Sequence, residues 1–133
     1  MILVDTNVLV DVVTDDPLWA EWSQRQLALA AAQDDLAIND IVYAELSVRY
    51  ATIEELDAMI CEARLVSAAI PRLALFLAGK AFQRYRYEGG LKTGMLPDFF
   101  IGAHAVISDS LLITRDAARY RTYFPGIMLI APN

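Results

Sequence analysis

Four acidic side chains in this 133-residue sequence lie where an apolar segment ends or a predicted helix begins; they are Asp5, Glu45, Asp98 and Asp116. Carboxylate oxygens are hard ligands, and several of them in one pocket suit Mg²⁺ or Mn²⁺. A metal held in this way polarises a phosphoryl oxygen and lowers the pKa of a bound water. If the fold gathers the four acids, the predicted chemistry is therefore metal-assisted hydrolysis of a phosphodiester.

Two of the acids follow short apolar runs that are typical of buried parallel strands. Asp5 comes directly after Ile2–Val4, and Asp116 comes three residues after Leu111–Ile113. In open α/β sheets, ligands bind beyond the carboxyl ends of the strands. We therefore expect both side chains at the same edge of one sheet.

Glu45 shares a predicted helical face with the apolar residues Ile41, Val42 and Val48. A carboxylate on an apolar stripe needs a partner, and a bound metal would supply one. The alternative is an ordinary ion pair with Arg49, four residues further along the helix. The sequence leaves both interpretations open.

Asp98 follows Pro97 in the first turn of a helix whose remaining residues are apolar nearly all round. Such a helix is buried, so its acidic end must reach the edge of the sheet or be neutralised. The alternative role for Asp98 is to offset the helix dipole, an effect of ~0.3 to 1 kcal/mol. His104 lies on roughly the opposite side of this helix, where a packed, hydrogen-bonded histidine is favoured over a catalytic one.

The polar neighbours of the acids are candidates for orienting them. Thr6 and Asn7 follow Asp5, and Thr114 precedes Asp116. Their side chains can hydrogen-bond carboxylate oxygens or metal-bound waters. Helix capping and turn formation are the alternative roles, and both can hold at once. Asp11, four residues after Asn7, could approach the same site, although a solvated position of Asp11 on the helix is favoured.

The composition constrains the partners of the chain. Apolar residues make up 56% of the sequence, so we expect a second subunit or another protein to cover part of the surface. No run approaches the roughly 18 apolar residues of a membrane span, and Met1 leads directly into the first strand without a basic leader. We therefore expect a cytoplasmic protein with no membrane association. The single cysteine, Cys61, is interpreted as a packing residue.

The net charge of −6 argues against a general nucleic-acid-binding protein, which normally has a basic face. Basic residues are nevertheless concentrated in the glycine-containing segment 84–94, which is predicted to be a loop. Its residues Arg84, Arg86 and Lys92, together with Arg115, are candidates for contacting a phosphodiester substrate, which would be RNA if the resemblance described below holds. The alternative is that this segment is a solvated turn.

Strands alternate with helices along the chain, which predicts one α/β domain over residues 1–133 with a mostly parallel sheet. The predicted strands are 2–4, 36–38, 111–113 and 127–130. The predicted helices are 6–13, 17–33, 41–50, 56–63, 71–87, 97–107 and 116–123.

Four segments that contain the acids, in this order, resemble the PIN domain. They are Ile-Leu-Val-Asp-Thr-Asn-Val-Leu at 2–9, Val-Tyr-Ala-Glu-Leu at 42–46, Leu-Pro-Asp-Phe-Phe-Ile-Gly-Ala-His-Ala at 96–105, and Leu-Ile-Thr-Arg-Asp at 112–116, with Phe-Pro-Gly following at 124–126. The similarity is greatest to the VapC toxins of toxin–antitoxin pairs, and it extends over essentially the whole chain.

The resemblance implies a three-layer α/β/α sandwich and a Mg²⁺- or Mn²⁺-dependent endoribonuclease that forms a homodimer. It also implies inhibition by a cognate VapB antitoxin that covers the acidic site. By motif, Asp5, Glu45, Asp98 and Asp116 match the metal-binding acids of the family, and Thr114 matches its small hydroxyl residue.

Two other functions remain open from the residues alone. The same acids could serve a DNA nuclease or a phosphatase, although a phosphoaspartate mechanism is disfavoured because Asn7 replaces the required second aspartate. Alternatively, the chain could be a protein-binding α/β module whose acids are structural. Binding of Mn²⁺ would separate this module from an enzyme.

Overall fold

The computed structural model describes residues 1–91 and 95–133, and these residues form five strands and seven helices. In chain order the elements are β1 (Ile2–Val4), α1 (Thr6–Val13), α2 (Ala20–Ala31), β2 (Leu36–Ile38), α3 (Asp40–Ser47), α4 (Ile53–Glu62), β3 (Val66–Ser67), α5 (Arg72–Tyr87), α6 (Leu96–Ile107), β4 (Leu111–Ile113), α7 (Ala117–Tyr123) and β5 (Leu129–Ile130). All five strands are parallel, in the order β3-β2-β1-β4-β5.

The central strand β1 explains why the apolar runs lack alternation. Leu3 pairs with Ala37 of β2 on one side and with Leu112 of β4 on the other. All three residues of β1 and of β2 are buried, so both faces of the sheet are covered by helices. The predicted three-layer α/β/α sandwich with a parallel sheet is therefore confirmed.

Several element boundaries differ from the prediction by a few residues, including those of α2, α3, α4 and β5, and one strand was not predicted. Helix α2 begins at Ala20 instead of Pro17, because the Asp16 carboxylate accepts hydrogen bonds from the amides of Leu18 and Trp19 and holds a turn there. Helix α3 ends at Ser47, which leaves Val48 85% exposed and outside the face assigned to it. Strand β3 was not predicted, because its two residues are exposed at the sheet edge and form no apolar run.

Helix α6 packs against α3, α5 and α7 and places Asp98 at the edge of the sheet. Gly102, at its centre, lets the rings of Phe124 and Tyr120 approach the helix backbone. Along the described residues, no helix combines the length and the apolar character that crossing a bilayer requires.

We predict that Gly102→Ala lowers the free energy of unfolding by about 1 to 3 kcal/mol, because the added Cβ would lie 2.5 Å from the buried ring of Phe124. Gly79→Ala is the matched control, since Gly79 lies in the exposed part of α5 with open space around its Cβ position. That substitution should raise stability by about 0.5 to 1 kcal/mol. Urea denaturation of both variants measures the difference, and equal stabilities would contradict the packing described.

Candidate active site

Asp5 is the most strongly bound acid of the site. It follows β1 directly and caps α1, accepting a hydrogen bond from the Thr6 amide at 2.8 Å on Oδ1. Its other oxygen, Oδ2, accepts hydrogen bonds from Thr114 Oγ1 at 2.8 Å, Tyr120 Oη at 2.9 Å and Asn7 Nδ2 at 3.3 Å. These contacts fix the orientation of a carboxylate that is only 4% exposed.

Glu45 reaches the same edge of the sheet from α3. Its Oε1 accepts a hydrogen bond from Thr6 Oγ1 at 2.7 Å, which ties the helix to the residue after Asp5. The Thr6 side chain was predicted to orient a carboxylate, and the carboxylate that its hydroxyl contacts is that of Glu45. Arg49 lies beyond the end of α3 and lines the same pocket.

Asp98 and Asp116 share one cation. Arg119 Nη1 pairs with Asp98 Oδ2, and Arg119 Nη2 lies 3.2 Å from Asp116 Oδ2. The backbone before Asp116 is itself anchored, because Thr114 Oγ1 accepts the Asp116 amide at 3.0 Å while donating to Asp5. One threonine thus connects two of the acids.

A surface pocket of about 400 Å³ joins these groups. Its lining residues are Asp5, Thr6, Asn7, Val10, Glu45, Arg49, Asp98, Arg115 and Arg119. Asp116 contacts this lining through Arg119. Among the described residues, no three acidic side chains are close enough together to form a metal-binding cluster. The acids are gathered at one edge, with a guanidinium between two of them.

Burial and mutual repulsion raise the pKa of three of the four acids. Burial raises the pKa of Asp5 to about 6, with a further contribution from the charge of Asp98, against the lowering effect of its hydrogen bonds. Burial also raises the pKa of Glu45, again with a contribution from Asp98. For Asp98, burial and the charge of Asp116 raise the pKa, while Arg119 lowers it.

The residues present fit a hard divalent cation. The donors available are carboxylate oxygens, with threonine and asparagine side chains behind them. Burial and the charges of neighbouring acids disfavour the ionised form of Asp5, Glu45 and Asp98, and a bound dication would favour that form.

Two side chains that contact the acids were not singled out by the sequence prediction, and the environment of a third nearby residue was predicted incorrectly. Tyr120 and Arg119 follow Asp116 at i+4 and i+3, the spacings that place side chains on one helix face. Asp11 was predicted to be solvated but is 1% exposed. Its position four residues after Asn7, on the buried face of α1, was the available signal.

Arg115 contacts protein groups that the prediction did not assign to it. Its guanidinium binds the buried Asp11 carboxylate through two hydrogen bonds, at 2.6 and 2.9 Å, and lies 5.2 Å from the ring centre of Trp19. Ser23 Oγ donates to the same carboxylate at 2.7 Å. Arg115 therefore anchors the loop between β4 and α7 to α1 while its exposed side lines the acidic pocket.

Only the first residues of the predicted basic loop are helical. Arg84 and Arg86 belong to the last turns of α5, which continues to Tyr87. Arg84 stacks 5.1 Å from the ring centre of Tyr123 and donates to the Thr122 carbonyl, so it also has a packing role. Lys92 lies outside the described residues. Arg84 and Arg86 therefore agree with the predicted helix over 71–87 and not with the overlapping loop prediction over 84–94, because the aromatic packing of α5 continues through these residues.

His104 is a packed residue, 1% exposed in α6. Its Nδ1 lies 3.1 Å from Asn39 Nδ2, and burial lowers the pKa of its imidazole. A neutral ring accepts the amide hydrogen through Nδ1. This histidine is therefore a hydrogen-bonded core residue, as the sequence predicted.

The raised pKa of Asp5 predicts how pH affects the metal-free protein. An acid whose folded-state pKa is about 6 and whose usual value is 3.8 contributes stability that is lost as pH rises through that interval. Between pH 4 and pH 7.5, wild type should lose about 2 kcal/mol relative to Asp5→Asn. The lowered pKa of His104 makes stability rise with pH in both proteins. The effect of Asp5 is therefore the difference between wild type and Asp5→Asn, measured by denaturation in EDTA. A pH-independent difference between them would contradict this account of Asp5.

Solved structures of similar fold come from toxin–antitoxin complexes. VapBC2 of Rickettsia felis, bound to a DNA fragment from its promoter, matches with a TM-score of 0.73 and 23% identity over 98% of each chain. A toxin–antitoxin complex of Klebsiella pneumoniae matches with a TM-score of 0.70 and 24% identity over 100% of this chain and 98% of the other. DNA-bound VapBC of Salmonella typhimurium matches with a TM-score of 0.71 and 20% identity over 98% of each chain.

At these identities the similarity establishes the fold. Comparison with curated proteins gave no significant match. The sequence profile of the PIN domain matches residues 2–125, which is nearly the whole chain and includes all four acids. The chain therefore belongs to the PIN domain family.

Proposed function

We propose that this protein is the toxin of a VapBC-type toxin–antitoxin pair and that it hydrolyses RNA with the help of Mg²⁺ or Mn²⁺. The observation that carries the proposal is the gathering of four acids from separate segments at the carboxyl edge of one parallel sheet. Burial and the charges of neighbouring acids raise the pKa of three of them, and a bound dication would oppose both effects. The acids with this role are Asp5, Glu45, Asp98 and Asp116.

In this proposal the four acids hold the metal, and the groups behind them hold the acids. Thr114, Tyr120 and Asn7 keep Asp5 in place, and Thr6 does the same for Glu45. The metal supplies a water of lowered pKa and a positive charge beside the phosphoryl oxygens. No histidine base is needed, and His104 faces Asn39 in the core.

RNA contacts are proposed to be local, because the chain carries a net charge of −6. Arg49 and the exposed side of Arg115 line the acidic pocket, and Arg86 is exposed at the end of α5. Arg84 and Lys92 complete the set of candidates. Few phosphate contacts of this kind give weak binding that falls with added salt.

Two protein partners are part of the proposal. The structures of similar fold are complexes with antitoxins, which supports a VapB-type antitoxin as the inhibitor of this chain. Exposed apolar residues on α5, including Leu73 and Phe76, support a homodimer. A toxin that cleaves cellular RNA would act in the cytoplasm.

We predict that Asp5→Asn abolishes Mg²⁺-dependent RNA cleavage, reducing the rate by at least about 100-fold, because the best-ordered metal ligand loses its charge. Asp35→Asn is the matched control, since this exposed aspartate precedes β2 at the opposite edge of the sheet. The control should cleave as wild type does. Cleavage of a labelled RNA in Mg²⁺ and in excess EDTA provides the measurement.

Full activity of Asp5→Asn, or wild-type activity that persists in EDTA, would refute the proposed mechanism. Assays with DNA and with a phosphate monoester test the other enzyme classes in the same experiment. A protein that binds no Mn²⁺ in calorimetry and cleaves none of these substrates would instead be a binding module.

A further inference from the structure

Arg119 is a cation that contacts the carboxylates of two of the four acids at once. Its guanidinium, on α7, pairs with Asp98 at the start of α6 and with Asp116 at the start of α7. The side chain is 36% exposed and lines the acidic pocket. The cation is thus part of the site surface and not of the core.

The two carboxylates that Arg119 contacts are partly exposed to solvent. The carboxylates of Asp98 and Asp116 are 19% and 40% exposed, so solvent ions can reach both of them. The Arg119 guanidinium is the positive charge that lies against both carboxylates.

A divalent metal would need the same oxygens. A guanidinium binds a carboxylate through directed hydrogen bonds to its oxygens, and a bound metal would need those same oxygens as ligands. Arg119 Nη1 is bound to Oδ2 of Asp98, and Nη2 lies 3.2 Å from Oδ2 of Asp116. A metal bound to the same carboxylates would be repelled by the guanidinium and would draw on the oxygens to which it is bound, so the two cations compete for these acids.

A second arginine shows what a structural pair looks like in this fold. Arg115 binds Asp11, whose carboxylate is 1% exposed and receives a further hydrogen bond from Ser23. That pair is shielded from solvent on the acid side and needs no other cation. The Arg119 pairs are open to solvent and involve the acids assigned to the metal.

We propose that Arg119 is the resident cation of the metal-free site and that divalent metal binds only by displacing its guanidinium from Asp98 and Asp116. Arg119 is then a positioning residue that sets the metal concentration at which the site fills. This inference rests on the proposed metal-dependent function. It assigns to the chain itself the charge that keeps the acids together before metal arrives.

The test is Mn²⁺ binding to Arg119→Met, measured by calorimetry without RNA. Removing the competing charge while keeping a side chain of similar length should tighten Mn²⁺ binding about tenfold, equivalent to about 1.4 kcal/mol. Arg119→Lys should fall between this variant and wild type, because one ammonium cannot bridge both acids as a guanidinium fork does. Arg121→Met is the matched control, since Arg121 is an exposed arginine of the same helix, and its affinity should equal that of wild type.

A purely structural role for Arg119 gives the opposite result. If the guanidinium only holds α7 against α6, Arg119→Met loosens the ligands and binds Mn²⁺ no more tightly than wild type, which overturns the proposal. A spectroscopic measurement on wild type covers the case in which that variant does not fold. The Arg119 Nε–H resonance should shift during a Mg²⁺ titration, and a resonance that does not move while Mg²⁺ binds also overturns the proposal.

The same titrations separate this inference from the function on which it rests. Mn²⁺ binding that is lost in Asp5→Asn but unchanged in Arg119→Met leaves the metal site standing and removes only the role of Arg119. An absence of Mn²⁺ binding in wild type and in Arg119→Met removes both. Binding that appears only in Arg119→Met supports displacement directly.

Discussion

Repulsion between carboxylates at one edge of a parallel sheet is the constraint on which the rest of the structure depends. Strands β1 and β4 are neighbours and parallel, so the residues that follow them must meet. Helices α3 and α6 add Glu45 and Asp98 to the same edge. Such a group of acids stays ionised only if hydrogen bonds and positive charge offset its repulsion. The hydroxyl groups and arginines around the pocket provide both.

Asp5 differs from Asp98 and Asp116 in its exposure and in the groups that bind it. Asp5 is buried and bound by Thr114, Tyr120 and Asn7, so its geometry is fixed before any ligand binds. Asp98 and Asp116 are more exposed, and both of their carboxylates are bound by Arg119. The site thus combines one buried acid held by several hydrogen bonds with two more exposed acids that share one guanidinium. This arrangement suits the proposed function, in which the site would admit both a metal and RNA.

The sequence could predict the four acids because each is marked by a local signal. A run of apolar residues ends before Asp5, and Pro97 begins the helix that contains Asp98. The groups that hydrogen-bond the acids have no such local signal. Tyr120, for example, is typical of an ordinary helix residue until the fold brings it against Asp5. The segment around Arg84 shows the same limit. The glycines after it suggested a loop that starts at Arg84, whereas packing of Tyr85 against Phe99 and Tyr123 keeps the chain in α5 up to Tyr87.

The most direct test of the account is anomalous diffraction from crystals grown with Mn²⁺. The account predicts a peak in the pocket between Asp5 and Asp98, with carboxylate oxygens roughly 2 Å from the metal. A peak bound by other residues, or an empty pocket at a Mn²⁺ concentration that supports RNA cleavage, would contradict it.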